Sequence, residues 1–408
     1  MAVESLSHLR RRARSSFWLV PAACVVGSVV LALAVVQLDQ ALGDFQTSVL
    51  FPGPPEGARS LLGAIISAMI SFTGLVFSIT VVVLSLTSGQ FSPRVLRGFL
   101  QDRVIQWSLG VFVATFVYAM TVDREVLGTD GHDAFIPRIA MTLAYLLVLG
   151  SVGLFIAYID HVANMIRVSS IITRVADEST DLLERRCPVD AGPQPAAPVL
   201  GPVQQVLGSR RRGVVVSVDS GVLVARARAA GVVLAVVPRV GDFLPLHADM
   251  VRVHGGPLSG HDEKSIVGAI ALDTERTGEQ DLAFGMRQLV DIAEKALSPG
   301  VNDPTTATQV IDVLHDLLRR LASRRLPDGR VADRDGEVRL LVPQYAFADL
   351  LDVAVAEIWH HGRDGTQVPE RLLGMLEDLE GAALSDHRPA IRRWLAVVRD
   401  GQPGVGIR

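Results

Sequence analysis

"LLGAIISAMISFTGLVFSITVVVLSLT", residues 61–87, is the stretch that decides the fold of this chain. It contains no charged residue and no histidine, and it is longer than the ~20 residues with which a helix crosses a bilayer. Three other stretches are comparably long and equally free of charge, at residues 17–37, 104–122 and 139–159. The sequence therefore predicts an integral membrane α-helical protein with four transmembrane helices.

The composition agrees with a membrane protein and excludes several other classes. Hydrophobic residues make up 49% of the 408 residues and the mean hydropathy is +0.35, both high for a soluble protein. A net charge of −4 gives no bulk attraction to nucleic acid, so we expect no nucleic-acid partner. The two cysteines, Cys24 and Cys187, form neither a disulfide framework nor a metal-ligand cluster. We therefore expect no metal and no cofactor.

The basic residues of the short loops predict the orientation, because cytoplasmic loops are enriched in Lys and Arg. The first and third loops are mainly acidic. Arginines instead precede the first helix, occur in the second loop and follow the fourth helix; they are Arg10, Arg11, Arg12, Arg14, Arg94, Arg97, Arg103, Arg167 and Arg174. A multi-pass protein with cytoplasmic N- and C-termini follows from this distribution.

The second span carries small residues along one side. Ser67, Ser71, Gly74, Ser78 and Ser85 recur at steps of three, four or seven residues, the spacing of one helix face. Such a seam lets helices pack closely. Alternatively, the hydroxyl groups line a water-filled path. Both arrangements are compatible in a homo-oligomer.

The chain beyond the spans divides by composition. We expect a transmembrane domain over residues 1–160, a helical stalk over 161–187, a Pro-rich linker over 188–212, a small α+β unit over 213–256 and a helical cytoplasmic domain over 257–408. In the α+β unit, strands are predicted at 214–218, 232–237 and 249–253, and Asp219 and Gly231 bound a short helix. The cytoplasmic region is thus mainly α with a small α+β unit.

"ALSPGVNDPTTA", residues 296–307, interrupts the helical pattern of this last domain. Pro299 and Gly300 end one helix, while Asp303 is placed as the N-cap and Pro304 as the first residue of the next. A helix start also presents free N–H groups to anions. The alternative is therefore an anion or ligand site, whose candidate residues are Arg287, Lys295, Ser298, Asn302 and Asp303.

Several motifs resemble one family of predicted bacterial membrane proteins, the domain-of-unknown-function family 2254. The resemblance is carried by residues 71–80 (SFTGLVFSIT), 90–94 (QFSPR), 273–277 (DTERT), 280–291 (QDLAFGMRQLVD) and 296–305 (ALSPGVNDPT). It covers most of the chain. It implies a multi-span inner-membrane protein with a soluble C-terminal region, and it implies no activity.

Three classes of function remain open. The first is a homo-oligomeric channel or transport-related protein in the lipid bilayer, with a regulatory cytoplasmic domain. The lack of ionisable residues in the spans disfavours a proton-coupled transporter but permits a passive channel. The second is a membrane-anchored sensor or scaffold that binds a protein partner or a small ligand. An enzyme is disfavoured, because no phosphate-binding Gly-rich loop, His-Glu-x-x-His or nucleophile elbow occurs, and we assign no catalytic residue.

Overall fold

The computed structural model describes residues 18–42, 55–90, 102–126, 135–165, 167–189 and 194–401. The chain forms two compact units, Met1–Arg167 and Val168–Arg408, which we call the N-terminal and C-terminal units.

The described part of the N-terminal unit consists of long apolar helices: α1 (Leu19–Leu42), α2 (Pro55–Gln90), α3 (Arg103–Glu125) and α4 (Arg138–Met165). All four are long and apolar enough to cross a membrane. Within the described residues, the predicted positions of the four apolar helices are therefore confirmed. Their insertion in a bilayer and the orientation of their ends stay predictions.

Helix α3 lies at the centre of this unit and packs against the other three helices. Its residues Ile105, Phe112 and Tyr118 are almost completely buried. At Gly110, a Cβ atom would lie 2.9 Å from Sγ of Cys24 on α1. The absence of a side chain at this glycine therefore lets α1 and α3 approach closely, as small residues do between membrane helices.

Polar contacts join the ends of these helices. The Asp39 carboxylate accepts hydrogen bonds from the backbone N–H groups of Ile139 and Ala140, each at 3.0 Å, at the start of α4. The Arg59 guanidinium donates to the Val126 carbonyl at 2.8 Å, just after α3. Both contacts satisfy backbone groups that a helix end leaves without an intrahelical partner.

The C-terminal unit is an α/β region. Its helices are α5 (Val168–Arg186), α6 (Ser220–Ala230), α7 (Gly260–Gly268), α8 (Leu282–Leu297), α9 (Pro304–Ala322), α10 (Phe347–Gly362), α11 (Gln367–Ala382) and α12 (Arg388–Asp400). Its strands are β1 (Val203–Gly208), β2 (Gly213–Val218), β3 (Val233–Val236), β4 (Phe243–Leu244), β5 (Asp249–His254), β6 (Ile270–Asp273), β7 (Arg330–Ala332) and β8 (Val338–Leu341).

The strands form two sheets around one core. The larger sheet has the order β1-β5-β3-β8-β7, and the smaller has the order β4-β2-β6. The β3–β8 pair is parallel, and the other pairs are antiparallel. Val215, Leu223, Leu234, Val253 and Leu340 are fully buried in a cluster to which both sheets and α6 contribute. The alternation of apolar residues in these strands accounts for this shared core.

The local signals of the α+β unit are confirmed. Helix α6 begins after Asp219, whose side chain accepts from the N–H of Val222, and ends at Gly231 in the left-handed conformation. Strands β2, β3 and β5 lie at the predicted positions within one or two residues. An N-cap and a C-terminal glycine are short-range signals, which explains why sequence reading located them.

The structure departs from the expected stalk, linker and helical domain in three places. The stretch expected to form one continuous stalk contains the end of α4, at Met165, and a separate helix α5, which begins at Val168. Helix α5 packs against α8 and α9, with its apolar residues Ile171, Ile172, Val175, Leu182 and Leu183 buried. Strand β1 lies in the expected linker, and β7 and β8 lie in the expected helical domain. The other domain boundaries stay predictions.

Candidate functional site

The five seam residues of α2 lie on the outside of the N-terminal unit. Ser67, Ser71, Gly74, Ser78 and Ser85 are all exposed. The opposite face of α2 is buried against the other helices through Leu62, Ile65, Met69, Val76 and Val83. The Ser71 hydroxyl donates to the Ser67 carbonyl at 3.0 Å, so its hydrogen bond is made within the helix. The seam is thus exposed along its whole length on the single chain.

The threonines of α2 lie on a different side. The Thr73 and Thr80 hydroxyls donate to the carbonyls of Met69 and Val76, at 2.7 and 2.8 Å. The Thr80 hydroxyl also lies 2.6 Å from the Tyr158 hydroxyl of α4. Thr80 therefore belongs to the packing between α2 and α4, and the exposed seam consists of serines and Gly74.

The turn between α8 and α9 has the predicted capping geometry. The Asp303 carboxylate accepts from the Thr306 N–H at 3.1 Å and from the Thr306 hydroxyl at 2.6 Å. These two hydrogen bonds hold the pKa of the Asp303 carboxyl below its usual value. The Ser298 hydroxyl donates to the Lys295 carbonyl at 2.6 Å. Asp303 is the N-cap of α9, as the sequence predicts.

The left-handed residue of this turn is Asn302, with φ of 49°. Gly300, which with Pro299 follows the end of α8 as the sequence predicts, is not among the residues with positive φ. Asparagine tolerates the left-handed region better than most residues. Asn302 thereby directs the chain so that the Asp303 N–H donates to the Ala296 carbonyl at 2.7 Å.

Arg287 does not join the other candidates of the proposed anion site. Its guanidinium donates to both Glu357 oxygens of α10, at 2.6 and 2.5 Å, and to Asp291 at 3.1 Å. It also precedes Lys295 by two helical turns, about 12 Å along α8. The structure therefore brings Ser298, Asn302 and Asp303 together in the turn and places Arg287 elsewhere. An anion site at the turn stays a prediction.

Helices α8 and α10 share a carboxyl pair beside Arg287. Burial and a hydrogen bond to Glu357 raise the pKa of Glu294 to about 7. The guanidinium of Arg287 lowers the pKa of Glu357 to about 2. His361 lies 3.4 Å from Glu294. The two pKa values are therefore shifted in opposite directions, and Glu294 is the member of the pair that takes up a proton first as pH falls.

A cavity of about 430 Å³ lies within the C-terminal unit. Its walls come from the end of α5, the starts of α6 and α8, the turn after β3, and the segments 325–331 and 342–345. Small-molecule sites in proteins have volumes of roughly 300–1,000 Å³, so the cavity is large enough for an organic ligand. Its lining includes five arginines: Arg185, Arg186, Arg239, Arg325 and Arg330.

Two of these arginines are matched by carboxylates. Arg239 pairs with Asp349 at 3.2 Å, and its guanidinium lies 5.0 Å from the centre of the Tyr345 ring. Arg330 pairs with Asp328 at 2.9 Å. The remaining lining carboxylate, Asp281, is paired with Arg276, which is not a lining residue.

The other three, Arg185, Arg186 and Arg325, have no carboxylate partner among the described residues. Arg186 is exposed overall, yet partial burial of its guanidinium lowers its pKa, and the adjacent charge of Arg185 acts in the same direction. Glu184, next in sequence, is already paired with Arg324 at 2.8 Å. The described lining therefore keeps an uncompensated positive charge.

Buried contacts fix the walls of this cavity. Arg324 donates to the Cys187 carbonyl and the Glu184 carboxylate, each at 2.8 Å, and thereby holds the end of α5 against α9. Gly241 has φ of 97°, and a Cβ atom there would overlap the Arg276–Asp281 ion pair. Only glycine combines this backbone conformation with so close an approach.

Comparison with known proteins places the chain in a family. The family model of predicted membrane proteins numbered 2254 matches residues 14–378. The chain belongs to this family of unknown function. Relatives include uncharacterised proteins of Mycobacterium bovis and Mycobacterium tuberculosis, each 31% identical over 424 residues, which cover 97% of this chain and 79% of the relative. No solved structure matches the chain significantly.

Membership of family 2254 confirms the resemblance seen in the motifs and supports a membrane protein. It assigns no activity to any residue, since these relatives are themselves uncharacterised. Within the described residues, no group of three or more His, Cys, Asp or Glu side chains is arranged to hold a metal ion.

No pattern in the sequence indicates the cavity. Its arginines lie in separate segments that only the fold brings together. Lysine occurs only at Lys264 and Lys295, so an arginine in this chain is the ordinary basic residue and no single one stands out. The Pro and Gly residues around 327–329 and 343 mark turns, and turns alone do not indicate a binding site.

Proposed function

We propose that this family 2254 protein is a homo-oligomeric membrane channel or transport-related protein in which copies associate along the α2 seam. The observation that carries the proposal is the position of the seam: its five small residues are exposed on the single chain, opposite the buried face of α2. A helix that faced only lipid would gain nothing from a row of serines. Small residues are enriched where two membrane helices approach closely.

The shape of this face supports contact with another helix. Larger apolar residues flank the seam, including Ile70 and Phe77 on one side and Leu75 on the other, all about half exposed. No heavy atom lies within 4 Å of the position that a Cβ would take at Gly74. The small residues thus form a shallow groove between two ridges. A helix from a second copy fits such a groove, and the serine hydroxyls would lie at or beside the contact.

Flux through liposomes that hold the purified protein tests the function. The proposal predicts that the protein dissipates an ion or small-solute gradient, and that Ser71→Leu and Ser78→Leu reduce the flux while Ile79→Leu, a swap of similar volume, leaves it nearly unchanged. Absence of flux for all ions and solutes tested, across pH and membrane potential, would contradict a channel.

A membrane-anchored sensor is the second candidate. It is favoured by the cavity in the C-terminal unit, which three arginines without a described carboxylate partner line. A site for an anionic ligand accounts for these arginines, whereas a purely structural scaffold does not. If the liposomes show no flux and the protein binds a small anion, this candidate replaces the channel.

A further inference from the structure

We propose that the cavity of the C-terminal unit binds a phosphate-bearing organic molecule through Arg185, Arg186 and Arg325. The proposal goes beyond the channel function and does not depend on it, because binding to the C-terminal unit is measured without any flux. It identifies the chemical class of the ligand that a regulatory domain would sense.

The charge of the lining indicates an anion. The carboxylates among the lining residues are Asp281 and Asp328, and each is already paired with an arginine. Arg185, Arg186 and Arg325 therefore line the same cavity as exposed residues, and none of them has a counter-ion among the described residues. Positive groups held together repel one another, and a bound anion removes that repulsion.

The number and type of these side chains favour phosphate over a single carboxylate. A phosphate monoester carries a charge of about −1.5 to −2 at neutral pH and has three acceptor oxygens. A guanidinium donates two parallel hydrogen bonds to such a group, which is why arginine is common in phosphate sites. Three unmatched guanidiniums are more than one carboxylate can satisfy.

The size and the remaining walls indicate that the phosphate is attached to an organic body. A volume of about 430 Å³ exceeds what a free phosphate ion fills. Apolar side chains of Val218, Leu282, Val331 and Val342 also line the cavity, together with the Tyr345 ring. A ligand with an apolar or aromatic part would cover these walls while its phosphate meets the arginines.

Helix ends alone do not explain the arrangement. The starts of α6 and α8 reach the cavity, but Asp219 and Asp281 already accept hydrogen bonds from their N–H groups, at 3.0 and 3.1 Å. Arg185 and Arg186 occupy the last turn of α5, where cations are favourable. That preference does not account for Arg325, which lies beyond α9 and lines the same cavity.

Two sources of phosphate have the same chemistry, a soluble phosphate ester and a phospholipid headgroup, and separate arms of the experiment distinguish them. Full-length protein in neutral detergent is titrated with ATP and with pyrophosphate by isothermal calorimetry, in EDTA. A parallel arm measures retention of phosphatidylglycerol, against phosphatidylcholine, in mixed micelles. Saturable binding of a soluble probe or selective retention of the anionic lipid is the expected result.

Variants connect the binding to the cavity. Loss of one charge-assisted arginine contact weakens binding about tenfold or more, so Arg186→Gln and Arg325→Gln should each raise the dissociation constant by at least this factor. Arg334→Gln removes an exposed arginine in the β7–β8 turn, outside the lining, and should have no effect. The melting temperature of each variant without ligand shows whether it is folded.

The results either support or overturn the proposal. Binding of any of the three phosphate probes that Arg186→Gln and Arg325→Gln weaken, and Arg334→Gln does not, supports it and identifies the source. Binding that all three variants leave unchanged overturns it, as does failure of every probe to bind at millimolar concentration. If Arg186→Gln lowers the melting temperature and the other variants do not, the dissociation constants of Arg325→Gln and Arg334→Gln, both at exposed positions, decide between the two outcomes.

Discussion

At the scale of single residues, the C-terminal unit depends on side chains that satisfy backbone groups at helix ends. Asp219, Asp281 and Asp303 each accept a hydrogen bond from an N–H of the helix that follows. Each cap contributes about 0.5–2 kcal/mol, which is a sizeable fraction of the stability of a typical domain. The N-cap Asp303, between α8 and α9, is therefore a suitable residue for measuring how much capping stabilises this unit.

Asp303→Ala should lower the free energy of unfolding of the C-terminal unit by about 0.5–2 kcal/mol, whereas Asp303→Ser should retain most of it. The reason is that serine still offers an oxygen to the Thr306 N–H. Denaturation followed by tryptophan fluorescence measures the effect, since Trp359 and Trp394 lie in this unit. Gln309→Ala, a change at an exposed position of α9, is the control. If serine destabilises the unit as much as alanine does, capping is not the role of Asp303.

At the scale of elements, sequence reading succeeded where the signal is local. The four apolar helices, the caps of α6 and α9 and the strands β2, β3 and β5 follow from hydropathy and from residues within one turn. Strands β7 and β8 are only three and four residues long, and β8 pairs with β3 across a large separation in sequence. Periodicity in so short a segment does not distinguish a strand from a helix, so these elements were missed.

The carboxyl pair between α8 and α10 makes the stability of the C-terminal unit depend on pH. The pKa of Glu294 is raised from 4.5 to about 7 in the folded protein, mainly by burial. Between these two values the folded state holds the proton and the unfolded state releases it, so this group makes stability fall as pH rises. Glu357, with its lowered pKa of about 2, has the opposite effect and only below its ordinary value of 4.5.

Glu294→Gln should therefore be more stable than the wild type at pH 8 and closer to it at pH 5, because glutamine keeps the hydrogen bond to Glu357 without the charge. Thermal midpoints of both proteins at pH 5 and pH 8 measure the difference. Asp316→Asn on α9 changes an exposed carboxylate in an ion pair with Arg320 and is the control. If the difference in thermal midpoint between wild type and Glu294→Gln is the same at pH 5 and pH 8, the pKa of Glu294 is not raised in the folded protein.

At the scale of the whole molecule, the two candidate sites differ in how far the sequence revealed them. The α2 seam is a periodic pattern within one helix, and the sequence identified all five of its residues before the structure showed them to be exposed. The cavity is assembled from segments that lie far apart in the chain, and only tertiary packing brings them together. Its arginines carry no motif, so a fold was needed to find them.

The central claim is that copies of this protein associate through the α2 seam. The claim is specific in position, because Phe77 is also exposed on α2 but lies about a quarter of a turn around the helix from the seam. A disulfide forms only when two Cα atoms lie within about 7 Å of each other, so it reports which face meets a second copy.

The most direct measurement is disulfide crosslinking in native membranes, with single cysteines placed at Ser67, Ser71, Gly74 and Ser78 in a chain that carries Cys24→Ser and Cys187→Ser. The account predicts crosslinked dimers at one or more of these seam positions and little or none for Phe77→Cys. Crosslinking that is absent along the whole seam, or as strong at Phe77 as on the seam, would contradict it.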